Sequence, residues 1–560
     1  MKQAIERESR SGDVKSKVSS LAFSEIPLQS RLFIDYQREP LSLTNFYPNA
    51  VTSPAGIASF IPTVLTNYPT DRGELCDALV ETNENAGAGE KTFANIELLR
   101  NADTVAVVTG QQAGLFTGPI YTIYKALSAI KMAELLNERG IKAVPVFWAA
   151  TEDHDFDEVS SASFIDVSGG LFVTTYSPEA YSMGTPVGSV KIDEGIDATI
   201  DALFAAVPHT EFTDELRISL AGSWSDSTFF GDAFLRTLSS ILGKFGMVFL
   251  DPMNKRLRKL AAPVYAEAVR RSDAIGAGLM ARGDELEKRG FHTQVHVETD
   301  YFPLFMTDEN GRRVALRKAG EEVFRVKGER REFSRGELAE LAENEPSRFS
   351  PGVMLRPVVQ DYLLPTACYF GGGAEIAYFA QNSEVYRVLG RPVTPIFHRQ
   401  SFTVIEARHR RFLEKFDLDF SGLFDGLEAN LLRLANGAIA SDTVRLFAET
   451  EEKINTALNG LDQSVSRVDS TLADNLAKRR RKIIYHIAAI SKKTLLAKAR
   501  KDETVNRQID SVFASLLPNG HLQERSINVF SYLNKFGPNF IDWIYDAIDL
   551  ADKGHGIVNL

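Results

Sequence analysis

Cysteine is nearly absent: Cys76 and Cys368 are the only two in 560 residues, far apart and in no C-x-x-C arrangement. That argues against a disulfide framework and a thiolate zinc cluster, so no metal is expected and a reducing cytoplasm is the default compartment. Basic residues are outnumbered, 63 Lys and Arg against 74 Asp and Glu, giving a net charge of −11. Such a balance argues against bulk nucleic-acid binding and favours a small ligand. Long apolar runs are missing too. The most apolar window, Leu363 to Ala380, is broken by Pro365, three glycines and Glu375, and the start MKQAIERESRSGDVKSK lacks the apolar centre of a signal peptide. No membrane span is expected. What remains, 44% hydrophobic and 24% charged residues, is the composition of a soluble globular protein of about three or four domain-sized units.

The densest signal is Thr104 to Val159, TVAVVTGQQAGLFTGPIYTIYKALSAIKMAELLNERGIKAVPVFWAATEDHDFDEV, which reads as one βαβ unit. Thr104 to Thr109 is rich in Val without polar alternation, as in a strand buried on both faces of a parallel sheet. Gly110, Gly114 and Gly118 punctuate a loop, and Pro119 suits a first helical position. Apolar residues then recur at three and four until Gly140, and Ala143 to Ala150 returns as a parallel strand. Both loops open on the sheet edge where strand ends and helix N-termini bind ligands. The glycines, four apart, match neither G-x-G-x-x-G nor G-x-x-x-x-G-K-[ST]. Two readings stay open: a cradle for a negatively charged group on Gly110, Gln111, Gln112, Gly114, Thr117 and Gly118, or a structural tight turn.

The second loop, Glu152-Asp153-His154-Asp155-Phe156-Asp157-Glu158, places five carboxylates and an imidazole at the end of a buried strand. They repel one another unless they serve cations, donors or a helix N-terminus. A calcium loop is excluded, because Glu158 stands where glycine is needed. Either the run is an acidic helix cap, or Asp153, His154 and Asp155 recognise a substrate ammonium and move its proton, His154 being the group that titrates near neutrality.

Around this unit the chain shows an aromatic-rich arm from Ile26 to Phe60. Short alternating runs, LFVTTY and SVKI, suggest a small β excursion between Phe164 and Thr210. Phe291 to Phe305 alternates as a strand would, placing His292 and His296 on one face as structural residues. Arg312 to Phe349 reads as short strands and one helix, a second insertion. A second focus of chemistry follows in Val353 to Arg399, where Arg356, Gln360, Asp361, Glu375, Tyr378, Gln381 and Arg399 are embedded among apolar residues, and isolated charges there are paired or functional. Gly371-Gly372-Gly373 precedes a further helix start. Cys368 reads as buried packing.

After Arg399 the pattern changes. Ile454, Leu458, Leu461, Val465, Val468, Leu472, Leu476, Ile483, Ile487 and Ile490 form a heptad seam with one stutter. This predicts a long helix ended by Leu517-Pro518-Asn519-Gly520 and needing a partner, either an antiparallel return or a second subunit. Two helices, about Leu522 to Lys535 and Asn539 to Asp552, are expected after it.

GQQAGLFTGPIYTIYKA, EDHDFDE, FHTQVHV, LRPVVQDYLLPT with GGGAEIAYFAQ, and LLPNGHLQERSIN together resemble the bacillithiol biosynthesis family BshC, over nearly the whole chain and in family order. The resemblance implies an α/β fold: a Rossmann-like parallel-sheet core over residues 1–398 with inserted segments at about 164–210 and 303–349, and a C-terminal coiled-coil domain over 399–560 that forms a homodimer. It also implies a ligase that adds L-cysteine to the amine of glucosaminyl-malate. Arg356 or Arg399 would then take the malyl carboxylates. The core is also similar to class I aminoacyl-tRNA synthetases, but Gln111 and Gln112 stand where histidines are expected and there is no KMSKS-like loop. ATP or another nucleotide therefore stays open as a cofactor. The competing class is a non-catalytic nucleotide- or sugar-binding adaptor acting through its coiled coil.

Overall fold

The Val-rich run becomes β1 (Val105–Gln112), the central strand of the sheet that positions everything else. It is followed by α1 (Tyr121–Asn137) and β2 (Ala143–Ala150). β3 (Val248–Leu250) comes next, and later α2 (Arg356–Leu363), β4 (Thr366–Gly371), α3 (Gly373–Val388) and β5 (Ile396–His398). All neighbouring pairs are parallel and the spatial order is β5-β4-β1-β2-β3. The chain moves outward from β1 to β3, then restarts on the other side of β1 with β4. The switch point of the sheet thus lies between β1 and β4, where the loops leaving the two strand ends part and open a crevice.

This computed structural model describes residues 7, 8, 17–438 and 441–560. In it β1 is buried along Val105 to Gly110, and β2 along Ala143 to Ala149, as continuous apolar strands of a parallel sheet require. The aromatic arm packs on the sheet through Phe33, Tyr36, Phe46 and Tyr47. Tyr36 and Tyr47 donate to the carbonyls of Ile396 and Ile376, at 2.7 and 2.8 Å.

The first insertion is only half β. LFVTT pairs in a hairpin, Ser161–Ile165 with Leu171–Thr175. SVKI, however, forms a 3-10 turn and one isolated bridge, and a helix, Gly195–Ala206, occupies the rest. Its apolar residues Ile196, Ile200 and Leu203 recur at helical spacing. The second insertion is a five-stranded antiparallel sheet with strands Tyr301–Thr307, Arg313–Lys318, Val323–Val326, Glu332–Ser334 and Phe349–Pro351, plus the helix Arg335–Asn344. Residues 292–300 are irregular, correcting the expected strand: His292 and His296 are exposed there, and the strand begins only at Tyr301.

The heptad seam does not run along one helix. α4 (Ser441–Val468) and α5 (Ser470–Ala499) meet at Asp469 and pack along each other, and α6 (Glu503–Leu516) follows. Arg480 donates to Asn455 at 3.0 Å and to Asn459 at 2.7 Å. A continuous helix would hold residues 455 and 480 about 37 Å apart, so α4 and α5 are an antiparallel hairpin. The stutter at Val468, Leu472 and Leu476 coincides with its turn. Leu461, Val468, Ile483 and Ile490 stay exposed, and the side chain of Leu472 lies outside the described residues. The final helices, Phe530–Phe536 and Asn539–Ala547, are shorter than expected. The chain then adds a strand, His555–Asn559, which lies between strands Lys17–Leu21 and Phe402–Ile405. No helix among the described residues is long and apolar enough to cross a membrane.

Candidate active site

A cavity of about 570 Å³ opens at the switch point, walled by the ends of β1, β2 and β4, the start of α3, and the second inserted sheet. At the end of β1, Gly110 has no room for a side chain, since a Cβ there would lie 2.7 Å from the carbonyl oxygen of Trp148 on β2. The buried Lys125, one turn into α1, donates to the Gly110 carbonyl at 2.9 Å and to Gln111 Oε1 at 2.8 Å, and it pairs with Glu375. Burial holds the Lys125 ammonium below its usual range. Glu375 also accepts from the Tyr369 hydroxyl and the Gly372 N–H, each at 2.6 Å. Its own carboxylate therefore caps α3, and the glycine loop before that helix has its N-terminus occupied from within.

On the β2 side, Gln112 donates to Asp153 Oδ2 at 2.8 Å and to Glu158 Oε2 at 2.9 Å. Burial pushes the Asp153 carboxyl up, but hydrogen bonds from His154 and Gln112 and the charge of Arg313 outweigh it and leave Asp153 well below the usual carboxylate range. Arg313 reaches in from the inserted sheet. Its guanidinium lies 3.8 Å from the centre of the Phe305 ring, donates to Ser350 Oγ and the Pro351 carbonyl, and stands 3.1 Å from His154 Nδ1. Glu152, at 4% exposure, is more deeply buried than the other carboxylates of the acid run, and burial pushes its carboxyl up to about 7.

On the third wall, Arg356 lies 5.3 Å from the centre of the Tyr369 ring and 5.9 Å from that of Trp148. It donates to Gln360 Oε1 at 2.9 Å and to the Tyr378 hydroxyl at 3.1 Å. Among the described residues no carboxylate stands within ion-pair distance of it. Arg399 is the opposite case. It forms a two-pronged pair with the buried Glu524 at 2.7 and 2.8 Å, and Glu524 also accepts from Ser401 Oγ and the Phe402 N–H. Arg525, exposed, completes the rim.

The site can therefore take a molecule with an anionic end against Arg356 and a cationic end against the carboxylates beyond β2. A family model for the Bacillithiol biosynthesis BshC N-terminal Rossmann-like domain matches residues 17–400, and one for the C-terminal coiled-coil domain matches residues 402–560. The chain belongs to the BshC family. A relative from Salinibacter ruber, named "Putative cysteine ligase BshC", is 35% identical over 94% of this chain and 96% of its own length. One of the same name from Solibacter usitatus is 34% identical over 96% and 98%. A solved structure titled "putative arginyl t-RNA synthetase", from Campylobacter jejuni, covers 79% of this chain and 95% of its own at 12% identity, with a TM-score of 0.22 too low to carry an argument.

In this BshC chain the cleft gathers Gly110, Gln111, Gln112, Asp153, His154, Arg356, Glu375, Tyr378 and Arg399 from the residues singled out by sequence. It leaves others out. Gly114, Thr117 and Gly118 do not line it. A Cβ on Gly114 would lie 2.8 Å from the Cα of Gly118, and Asn528 donates to the carbonyls of Phe116 and Gly118 at 2.7 and 2.8 Å. The Ile120 N–H at the mouth of α1 donates to the Ile527 carbonyl at 2.9 Å. The loop is thus a tight turn sealed by the C-terminal segment, and the phosphates of a nucleotide do not fit at that helix end. Asp155 caps the short helix Phe156–Val159 and faces solvent. Gln360 and Asp361 are buried in a network with Tyr386 and Thr394, and Gln381 holds the backbone of Gln294 and Val295. These three support the wall from behind.

Sequence reasoning missed Lys125, Arg313, Trp148 and Arg525 and gave Glu152 no role. Lys125 had a signal: a cation flanked by apolar residues near the start of a helix. Arg313 had none, being one of many charges in its segment. Among the described residues no group of His, Cys, Asp and Glu is arranged to hold a metal ion. Burial pushes the Cys76 thiol up to about 11 and the Cys368 thiol higher still, the opposite of what a nucleophile needs.

Proposed function

We propose that this chain is an amide-forming ligase that joins the carboxyl group of L-cysteine to the amine of glucosaminyl-malate, the last step of bacillithiol biosynthesis, in the cytoplasm. The observation that carries the reading is the polarity of the cleft: an arginine without a carboxylate partner among the described residues on one wall and a carboxylate cluster on the other. An amino sugar bearing a malyl group has charges of the complementary signs. Arg356 takes a malyl carboxylate by charge-assisted hydrogen bonds, while Asp153 and Glu152 face the amine. Arg399, neutralised by Glu524, positions the C-terminal segment. A carboxylate and an amine condense only when the carboxyl group is activated and the amine neutral and aligned. We further propose that the protein works as a homodimer through the exposed apolar side chains of the helical hairpin.

The test is incubation of the purified protein with both substrates, with and without ATP, followed by mass detection of the thiol-bearing amide. Product formation supports the ligase. Binding of glucosaminyl-malate without product under any nucleotide condition favours the adaptor.

A further inference from the structure

We propose that Glu152 is the base of the amine half of this reaction: it receives the substrate's ammonium group and accepts its proton, leaving a neutral amine for attack. This rests on the ligase reading above. Glu152 lies just past the end of β2, buried yet on the wall of the cleft. Its Oε2 has no hydrogen-bond partner among the described residues. The other carboxylates nearby, both half-buried, are engaged: Asp251 by Thr151 and the Met253 N–H, Glu375 by Lys125, Tyr369 and Gly372. A buried acceptor without a donor is costly to keep, and an ammonium group arriving in the cleft supplies the missing donor.

The charges around it are mixed. Arg258 from the helix Lys255–Arg270, Arg313 from the inserted sheet and Arg356 from α2 favour the ionised form, while Asp251 beyond β3 opposes it. Tyr265 lies close by on the same helix as Arg258, and Asp153 and His154 follow on its own loop. Burial outweighs the three guanidinium groups, so the carboxyl group titrates at about 7 against 4.5 for an ordinary glutamate. That makes it a far better base toward an ammonium near neutral pH than Asp153, whose proton affinity is depressed. In the transfer the ammonium N–H bond breaks, its electron pair stays on nitrogen, and the proton bonds to a Glu152 oxygen. No other reactant is consumed.

Two measurements test it. The first is the pH dependence of kcat/KM for glucosaminyl-malate in the wild type and Glu152→Gln. The wild-type rate should fall about tenfold per pH unit below about 7, and the variant should lose about 10²- to 10⁴-fold at pH 8 together with that acidic limb. The second is calorimetry at pH 6 in buffers of different ionisation enthalpy, comparing glucosaminyl-malate with its N-acetylated form on the wild-type protein. Ionisation of Glu152 against the ammonium should release close to one more proton with the free amine, and the excess should vanish in Glu152→Gln. A variant within threefold of wild type with the same limb, or no excess proton with the free amine, overturns the proposal. If the wild type makes no amide at any pH the ligase reading falls, and the proton count still decides whether Glu152 receives the ammonium.

Discussion

Glu152 also leaves a mark on stability. Its carboxyl group titrates at about 7 in the folded protein and near 4.5 when unfolded. Between those values the folded state holds a proton that the unfolded state has lost, so stability falls as pH rises from about 4.5 to about 7 and is level above. The shift corresponds to about 3 kcal/mol. Glu152→Gln removes the ionisable group while keeping its shape. Denaturant unfolding should therefore find the variant more stable than wild type by about 3 kcal/mol at pH 8 and nearly equal at pH 4.5. The same difference at both pH values would mean that Glu152 is not held protonated by burial. At this scale Arg356, Asp153 and His154 were legible because charged residues beside buried strands and helices need partners. Gly114 and Gly118 misled because a glycine fitted for a ligand's approach and one fitted for the approach of its own backbone look alike in sequence. The partner of that turn, Asn528, lies more than 400 residues away.

The helical hairpin is the element whose sequence signal was strongest and whose reading changed most. A heptad stripe states that each helix has one apolar face, and it says nothing about whether the chain turns back between repeats. Asp469 marks the turn with neither glycine nor proline. Packing α4 against α5 buries part of the stripe and leaves Leu461, at 48% exposure, Ile483 at 39% and Ile490 at 57%. These are the side chains that the proposed homodimer would cover. Leu461→Lys with Ile483→Lys should turn a wild-type dimer into a monomer in sedimentation velocity at micromolar concentration, with helical content unchanged because both positions are already exposed. A wild-type chain that sediments as a monomer would show that the hairpin is complete by itself. The SVKI run and residues 292–300 failed for a related reason: alternation over so few residues is matched equally well by irregular chain lying along a surface.

Across the whole molecule, strand order brings the site together. The β1 and β2 loops were foreseen as neighbours because they belong to one βαβ unit. The return of the chain to the other side of β1 as β4 sets Gly372, Glu375 and Arg356 opposite them, and sequence periodicity carries no information about that step. Nor does it foretell that an inserted sheet delivers Arg313 or that Glu524 and Asn528 close the back of the core. In the proposed function the cleft holds glucosaminyl-malate by its two ends, with Arg356 on the malyl carboxylate. The most direct measurement is the ratio of kcat/KM for glucosaminyl-malate to that for glucosamine in the wild type and in Arg356→Met. A charge-assisted contact of this kind contributes about 2 to 3 kcal/mol. The wild type should thus prefer the malylated substrate by about 100-fold, and the variant should lose most of that preference while melting at a similar temperature. An Arg356→Met protein that keeps the wild-type preference would contradict the account.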